Sequence, residues 1–273
     1  MRALMAGMVQ HGVFAEFNPL EPSQSVPVFT VPLRQWHLIV SNHALMVGLV
    51  AVFLLIVIPV AARRRRMVPS GIQNVVEAIC VFLREDVARP VMHEHTDRYI
   101  GFVWTVFFFV LGLNLIGMIP SEKFVVLLTG KKNHYGGPAT ANIFITGALA
   151  TVTFFMTHIY GIRQQGFGRY IINFAPAAPW WIMPLLYLLE VITAFVRPMT
   201  LAVRLFANII AGHILVATFL GLILVFKNYA VAAASIFAVV AVSFLELLVA
   251  FIQAFIFTFL SALYIGFSVS PEH

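Results

Sequence analysis

The chain has 273 residues, of which 61% are hydrophobic and only 10% charged, with a mean hydropathy of +0.94. An ordinary soluble domain is about one quarter charged, so these values exclude a water-solvated globule and make lipid the main solvent. The net charge of +6 does not indicate nucleic acid, because the basic residues are not spread over a face with interleaved aromatics. The densest cluster, Arg63 to Arg66, directly follows an apolar run, where a charge block fixes membrane orientation. Cys80 is the only cysteine, which rules out an intrachain disulfide and a zinc cluster of cysteines.

At the N-terminus, Met1 to Gly12 lacks a continuous apolar run followed by a small-residue cleavage site, so a cleaved signal peptide is not expected, and no transit peptide is visible. Pro19, Pro22, Pro27 and Pro32 prevent a regular helix, and residues 1–37 read as an extended outer segment. A helix needs about 20 apolar residues to cross the hydrocarbon core. Leu38 to Ala62, Tyr99 to Ile119 and Ala139 to Tyr160 meet that requirement. Between the first two, residues 69–90 place Ile72, Val75, Val76, Ile79, Phe82 and Leu83 at three- and four-residue spacing among Glu77, Arg84, Glu85, Asp86 and Arg89. That pattern predicts an amphipathic helix on the inner membrane surface. Pro120 ends the second span, and Gly130 to Pro138 reads as a turn-rich loop.

Two further runs, Pro179 to Phe226 and Ala230 to Phe267, exceed the thickness of a bilayer. As straight helices they would reach roughly 70 Å and 57 Å, so they are expected to be bent, strongly tilted or partly outside it. Lys227 and Asn228 supply the turn of an antiparallel hairpin. The predicted fold class is therefore an all-α polytopic membrane protein. It has about five transmembrane helices plus a surface amphipathic helix, with three spans in residues 38–178 and the hairpin in 179–273. Arginines in the connection from Ala62 to Arg98, together with Arg163 and Arg169, place those loops inside, which puts the N-terminus outside and the C-terminus inside.

Charged side chains in membrane segments cost about 2.5–3.5 kcal/mol on insertion scales and usually face protein or water for a functional reason. Arg204, Arg197, Glu190 and Glu246 are in that position. Arg204 is a permanent positive charge because a guanidinium does not deprotonate in proteins, whereas His213 and Glu246 can exchange protons. Glu190, Arg197 and Arg204 are seven apart and form one helical stripe, with Asn208 close to it. If the turn lies between Asn228 and Tyr229, Arg204 falls at the level of Gln253, and His213 falls near Glu246. In an ideal helix, however, His213 points away from Arg204. Glu190 and Arg197 also fit a helix-stabilising pair near the inner surface. His43, His93, His95 and His158 read as interfacial or loop residues, Ala207, Ala211 and Gly212 as allowing close helix approach, and Trp180 and Trp181 as an interfacial belt.

The string from Arg197 to His213, RPMTLAVRLFANIIAGH, resembles the signature of the subunit a family of F-type ATP synthases. Glu246 and Gln253 on the following helix, Asn114 to Pro120, and Pro138 to Asn142 extend the resemblance over about residues 38–270. It implies an ion-translocating stator subunit, without a catalytic centre or cofactor of its own, beside a rotating ring of c subunits. The other implied partners are peripheral-stalk b subunits, the remainder of the synthase, protons and membrane lipid. Arg204 would separate two half-channels and attract the ionised ring carboxylate, with Gln253 beside it. Asn208, His213 and Glu246 would line the outer half-channel, and Glu190 would lie near the inner one. The family's acidic positions near the second and third spans are Gly117 and Asn142 here, so proton entry depends more on His213 and Glu246. The expected location is a bacterial inner membrane, with a mitochondrial inner membrane as the alternative. A sodium-translocating version, a secondary transporter and a membrane metalloenzyme are the competing readings. A transporter would often show internal repeats and a metalloenzyme a compact set of ligands.

Overall fold

A computed structural model describes residues 27–33, 36–63, 71–119, 138–174 and 179–269. The Arg64–Arg66 part of the basic cluster, the prolines at 19 and 22, nearly all of the 130–138 loop and the last four residues lie outside the described residues.

Pro27–Leu33 (β1) and Trp36–Ser41 (β2) pair as an antiparallel hairpin. This hairpin was not expected, and it takes residues 38–41 from the first span. Helix α1 (Asn42–Arg63) starts where the Ser41 hydroxyl accepts a hydrogen bond from the Ala44 N–H at 3.3 Å, which is an N-cap contact.

The amphipathic stretch also differs from a lone surface helix. Its first part, α2 (Ile72–Phe82), leaves Val75, Val81 and Phe82 exposed as a membrane-surface face requires. A π-helical turn at Leu83–Ala88 and the short α3 (Arg89–Met92) then bury Leu83, Val87, Ala88 and Met92. Those four join the main core, because the apolar stripe has the long helix Tyr229–Val269 to pack on where it leaves the surface. The positive φ of His93 and a 3₁₀ turn (His93–His95) separate this stretch from α4 (Thr96–Met118). Arg84 bonds Asp97 across that break at 2.6 Å, and Arg89 pairs with Glu85. Helix α4 ends at Ile119, which is extended as a residue before proline prefers.

A 3₁₀ turn (Ala139–Ala141) leads into α5 (Ile143–Gln165), where the Asn142 side chain accepts from the Phe144 N–H at 2.9 Å. Helix α6 (Phe167–Ile172) is short. Trp180 and Trp181 then stand exposed before the hairpin, as an interfacial position demands.

The hairpin consists of α7 (Met183–Phe226) and α8 (Tyr229–Val269). Pro184 occupies the first turn of α7, where its missing N–H costs nothing, and Pro198 lies within the helix. Lys227 adopts the left-handed conformation that closes a helix, and its N–H reaches the Ile223 carbonyl at 3.1 Å. The Asn228 side chain then caps the Ala230 N–H at 2.9 Å. The two residues expected to turn the chain do so.

Among the described residues, five helical stretches are long and apolar enough to cross a membrane. The chain is a polytopic all-α membrane protein. Its main core lies where α4, α5, α7 and α8 meet the π-helical turn, built around Leu201, Leu205, Phe257 and Ile265. A smaller cluster joins α1 and α4 through Val50 and Leu113. Close approach fixes the second amphipathic half onto α8, because a Cβ at Gly266 would overlap the Val91 backbone carbonyl. Gly266→Val is therefore expected to destabilise the protein by about 1–3 kcal/mol, read as a lower Tm in detergent. Gly101→Ala, where nothing lies within 4 Å of the new methyl, is expected to leave Tm unchanged.

Candidate functional site

The hairpin's polar residues collect on two sides of α7. On one side, Asn208, Gly212 and His213 of α7 and Glu246, Ala250 and Gln253 of α8 line a cavity of about 140 Å³, together with Asn114 of α4. A water needs roughly 10–15 Å³ of such space and two to four polar partners, so several can fit. Asn208 Nδ2 donates to Gln253 Oε1 at 2.9 Å. The hairpin register is thus within about one turn of the expected one, but the residue bonded to Gln253 is Asn208, with Arg204 a turn away.

Two polar atoms of the cavity residues have no hydrogen-bond partner among the described residues: Gln253 Nε2 and Asn114 Oδ1. Both side chains are almost fully buried, at 3% and 0% exposure. Asn114 Nδ2 makes only a long contact to the Ala250 carbonyl, 3.5 Å. A buried donor or acceptor left unpaired costs about 1–3 kcal/mol, so these two atoms are ready sites for water in the cavity.

His213 and Glu246 line this cavity together. The imidazole also lies beside the Gly117 backbone near the end of α4. The ideal-helix geometry that turned His213 away from Arg204 is consistent with the structure, because Arg204 does not line the cavity. Gly212 has a more particular role than general helix approach: a Cβ there would overlap the Glu246 carboxylate.

Arg204, one turn before Asn208, does not line this cavity. Its side chain is exposed, and it forms no hydrogen bond or ion pair with any described residue. Around it, Val196, Met199 and Val203 are also exposed. Glu190 is placed elsewhere: its carboxylate accepts from Arg197 Nη2 at 2.8 Å, and both side chains are partly exposed. The Arg197 guanidinium lies 4.9 Å from the centre of the Tyr264 ring, a cation–π distance. The structure therefore separates the candidate residues into the Asn208–His213–Glu246–Gln253 cavity, the unpaired Arg204 and the Glu190–Arg197 pair.

Sequence reasoning left Asn114 and His158 without a role. Asn114 carries a legible signal, since an amide within an apolar span seeks a partner, yet its destination on α8 comes from packing. His158 of α5 hydrogen-bonds the Tyr170 hydroxyl of α6 at 2.5 Å. Burial raises the Tyr170 pKa above its ordinary value, which keeps the hydroxyl protonated at neutral pH. No helical spacing links residues 158 and 170, so only the chain turn at Gly166 brings them together.

Fold and site together define a polytopic membrane protein that keeps ionisable side chains and a polar cavity inside its membrane helices, the arrangement of an ion-translocating subunit. The chain belongs to the ATP synthase A chain family, whose profile matches residues 44–266. ATP synthase subunit a of Myxococcus xanthus is 37% identical over 86% of this chain and 74% of its own length. The proteins of that name from Chloroherpeton thalassium and Chlorobium phaeobacteroides are 34% and 33% identical. Each covers 97% of this chain and 77% and 76%, respectively, of its own length. As a member of this family the chain is an ion-transporting membrane subunit of the ATP synthase.

The fit of Gly212 to Glu246 is testable by a double-mutant cycle. Gly212→Ala is expected to lower stability by about 1–3 kcal/mol through overpacking, measured by thermal denaturation in detergent. In a Glu246→Ala background the same methyl should cost less than about 0.5 kcal/mol, because the group it displaces is gone.

Proposed function

We propose that this chain is a proton-translocating stator subunit in a bacterial inner membrane, with its N-terminus outside and its C-terminus inside. Residues 38–178 supply three spans and residues 179–273 the hairpin that faces the rotating c-subunit ring. The peripheral-stalk b subunits and the rest of the synthase hold it in place against rotation. Proton flow through it drives ATP synthesis, or ATP hydrolysis drives the flow in reverse.

The carrying observation is an exposed guanidinium with no described partner, set in an apolar face one turn from a polar cavity. A permanent charge facing lipid is costly, so its counter-charge has to come from another chain. An ionised carboxylate on each passing ring subunit meets that need. Arg204 attracts it, favours release of its proton and blocks direct passage between the two aqueous paths. It does not carry the proton, since guanidinium stays protonated.

On the outer path, His213 and Glu246 exchange protons with water in the cavity, while Asn208, Gln253 and Asn114 orient that water. Gln253, held by Asn208, closes the cavity nearest Arg204. Glu190, paired with Arg197, belongs to the inner path. Ionisable groups lining the cavity support proton rather than sodium transport, because each can take up a proton and release it again.

Arg204→Ala is expected to abolish ATP-driven proton pumping in inverted membrane vesicles, read by quenching of a pH-sensitive dye. Pumping at the normal rate would sink this reading. The Glu246→Gln, His213→Gln double substitution should leave the complex assembled but slow pumping at least about tenfold, within what a positioned proton-exchange group contributes. An unchanged rate would remove both side chains from the path.

A further inference from the structure

Away from the hairpin cavity, a second set of polar groups gathers where α5, α6, α7 and α8 meet. His158 lines two voids at once. One, of about 30 Å³, is shared with Arg197, Leu201 and Tyr264. The other, of about 260 Å³, is shared with Tyr170, Phe174 and Tyr187. The first has room for one or two waters and the second for many more. Leu201 is one turn before Arg204, so the smaller void is the one on the Arg204 side. Tyr170 and Phe174 belong to the α6 segment that follows Arg163, a loop whose charge places it inside.

The groups around the imidazole form one connected set. Tyr170 bonds His158 Nδ1. Ser268 of α8 stands beside the Tyr170 hydroxyl and donates to the Thr157 carbonyl at 3.0 Å. Arg197, which pairs with Glu190, lines the smaller void from α7, and Tyr264 lines it from α8. Space for the set is made by Gly161, where a Cβ would overlap both the Ser268 hydroxyl and the Tyr170 ring. With Nδ1 taken by Tyr170, Nε2 hydrogen-bonds no described residue.

We infer that His158, held by Tyr170, is the proton relay of the inner path, passing protons between the water-filled void at α6 and the smaller void beside Arg197. This rests on the proton-translocating reading above. In the hydrolysis direction, the neutral imidazole, with its Nδ1–H donated to the Tyr170 oxygen, takes a proton at Nε2 from water on the α6 side and becomes imidazolium. It then releases one proton to water on the Arg197 side and is neutral again. One proton moves from the inner side toward Arg204 and no bond between heavy atoms changes. Tyr170 positions the ring, and the two voids supply water on either side of it. A purely structural latch between α5 and α6 would need the Tyr170 bond but not the second void.

The test uses inverted vesicles carrying the whole synthase, where the inner side faces the medium. A protonophore keeps any gradient from forming, and the readout is ATP hydrolysis that a carbodiimide directed at the ring carboxylate can block. His158→Ala is expected to slow this hydrolysis about tenfold, and added imidazole should restore a large part of the rate. A normal rate, or a slow rate that imidazole leaves unchanged in an assembled complex, would overturn the inference. Should His158→Ala not assemble, His158→Gln keeps the bulk and polarity. The ratio of its rate to that of the unaltered complex should then change across about pH 5–8, where a histidine titrates; a constant ratio would also overturn it. Arg204→Ala, assayed for pumping in the same vesicles without the protonophore, serves as the reference. If that change blocks pumping while His158 variants behave normally, only the relay is lost. If Arg204→Ala pumps normally, the translocation reading itself fails.

Discussion

The rest of this structure depends on the cost of leaving a polar or charged group in hydrocarbon without a partner. Every backbone N–H and C=O in the membrane has to be satisfied within the chain, and the chain answers with helices. The side chains face the same demand, and they meet it in three ways. Glu190 and Arg197 pair with each other. Asn208 and Gln253 bond across the hairpin and share their cavity with Glu246, His213 and Asn114. Arg204 does neither within the described residues, and its unmet demand is what the proposed ring carboxylate would answer.

The hairpin achieves this sorting because α7 is used on two faces. One face, with Leu201, Leu205 and Gly212, packs inward and carries the cavity. The other, with Val196, Met199, Val203 and Arg204, is left outward. Residues four apart on a helix stay near each other, so Asn208 lies close to Arg204 in sequence and height while bonding to α8. A fixed charge and a proton-exchanging cavity can thus be adjacent without sharing the same space. Gly212 allows the carboxylate of Glu246 to approach α7 more closely than any larger residue would.

The fold around the hairpin serves the same end. The π-helical turn and α3 wedge Leu83, Val87 and Met92 under α8, while Gly266 lets the α3 backbone come into contact. At the other end, α4 brings Asn114 to the cavity and the Gly117 backbone to His213. The short α6 folds Tyr170 back on His158. Of these contacts, those of Asn114, His213 and His158 orient polar groups that lipid could not.

The sequence by itself determined the solvent, the number of long apolar helices, the Lys227–Asn228 turn and the set of ionisable residues in the hairpin. These follow from composition, run length and the turn chemistry of two residues, all of which are local. Its resemblance to subunit a lies in the RPMTLAVRLFANIIAGH string, which is local as well. Packing decided what local rules could not reach. It took residues 38–41 into a strand and buried the second half of the amphipathic stretch. It bonded Gln253 to Asn208, left Arg204 exposed outside the cavity, and joined His158 to Tyr170. The reason is physical: helical periodicity fixes which residues share a stripe, but only the contact of one helix with another decides which stripe meets a partner, a cavity or lipid.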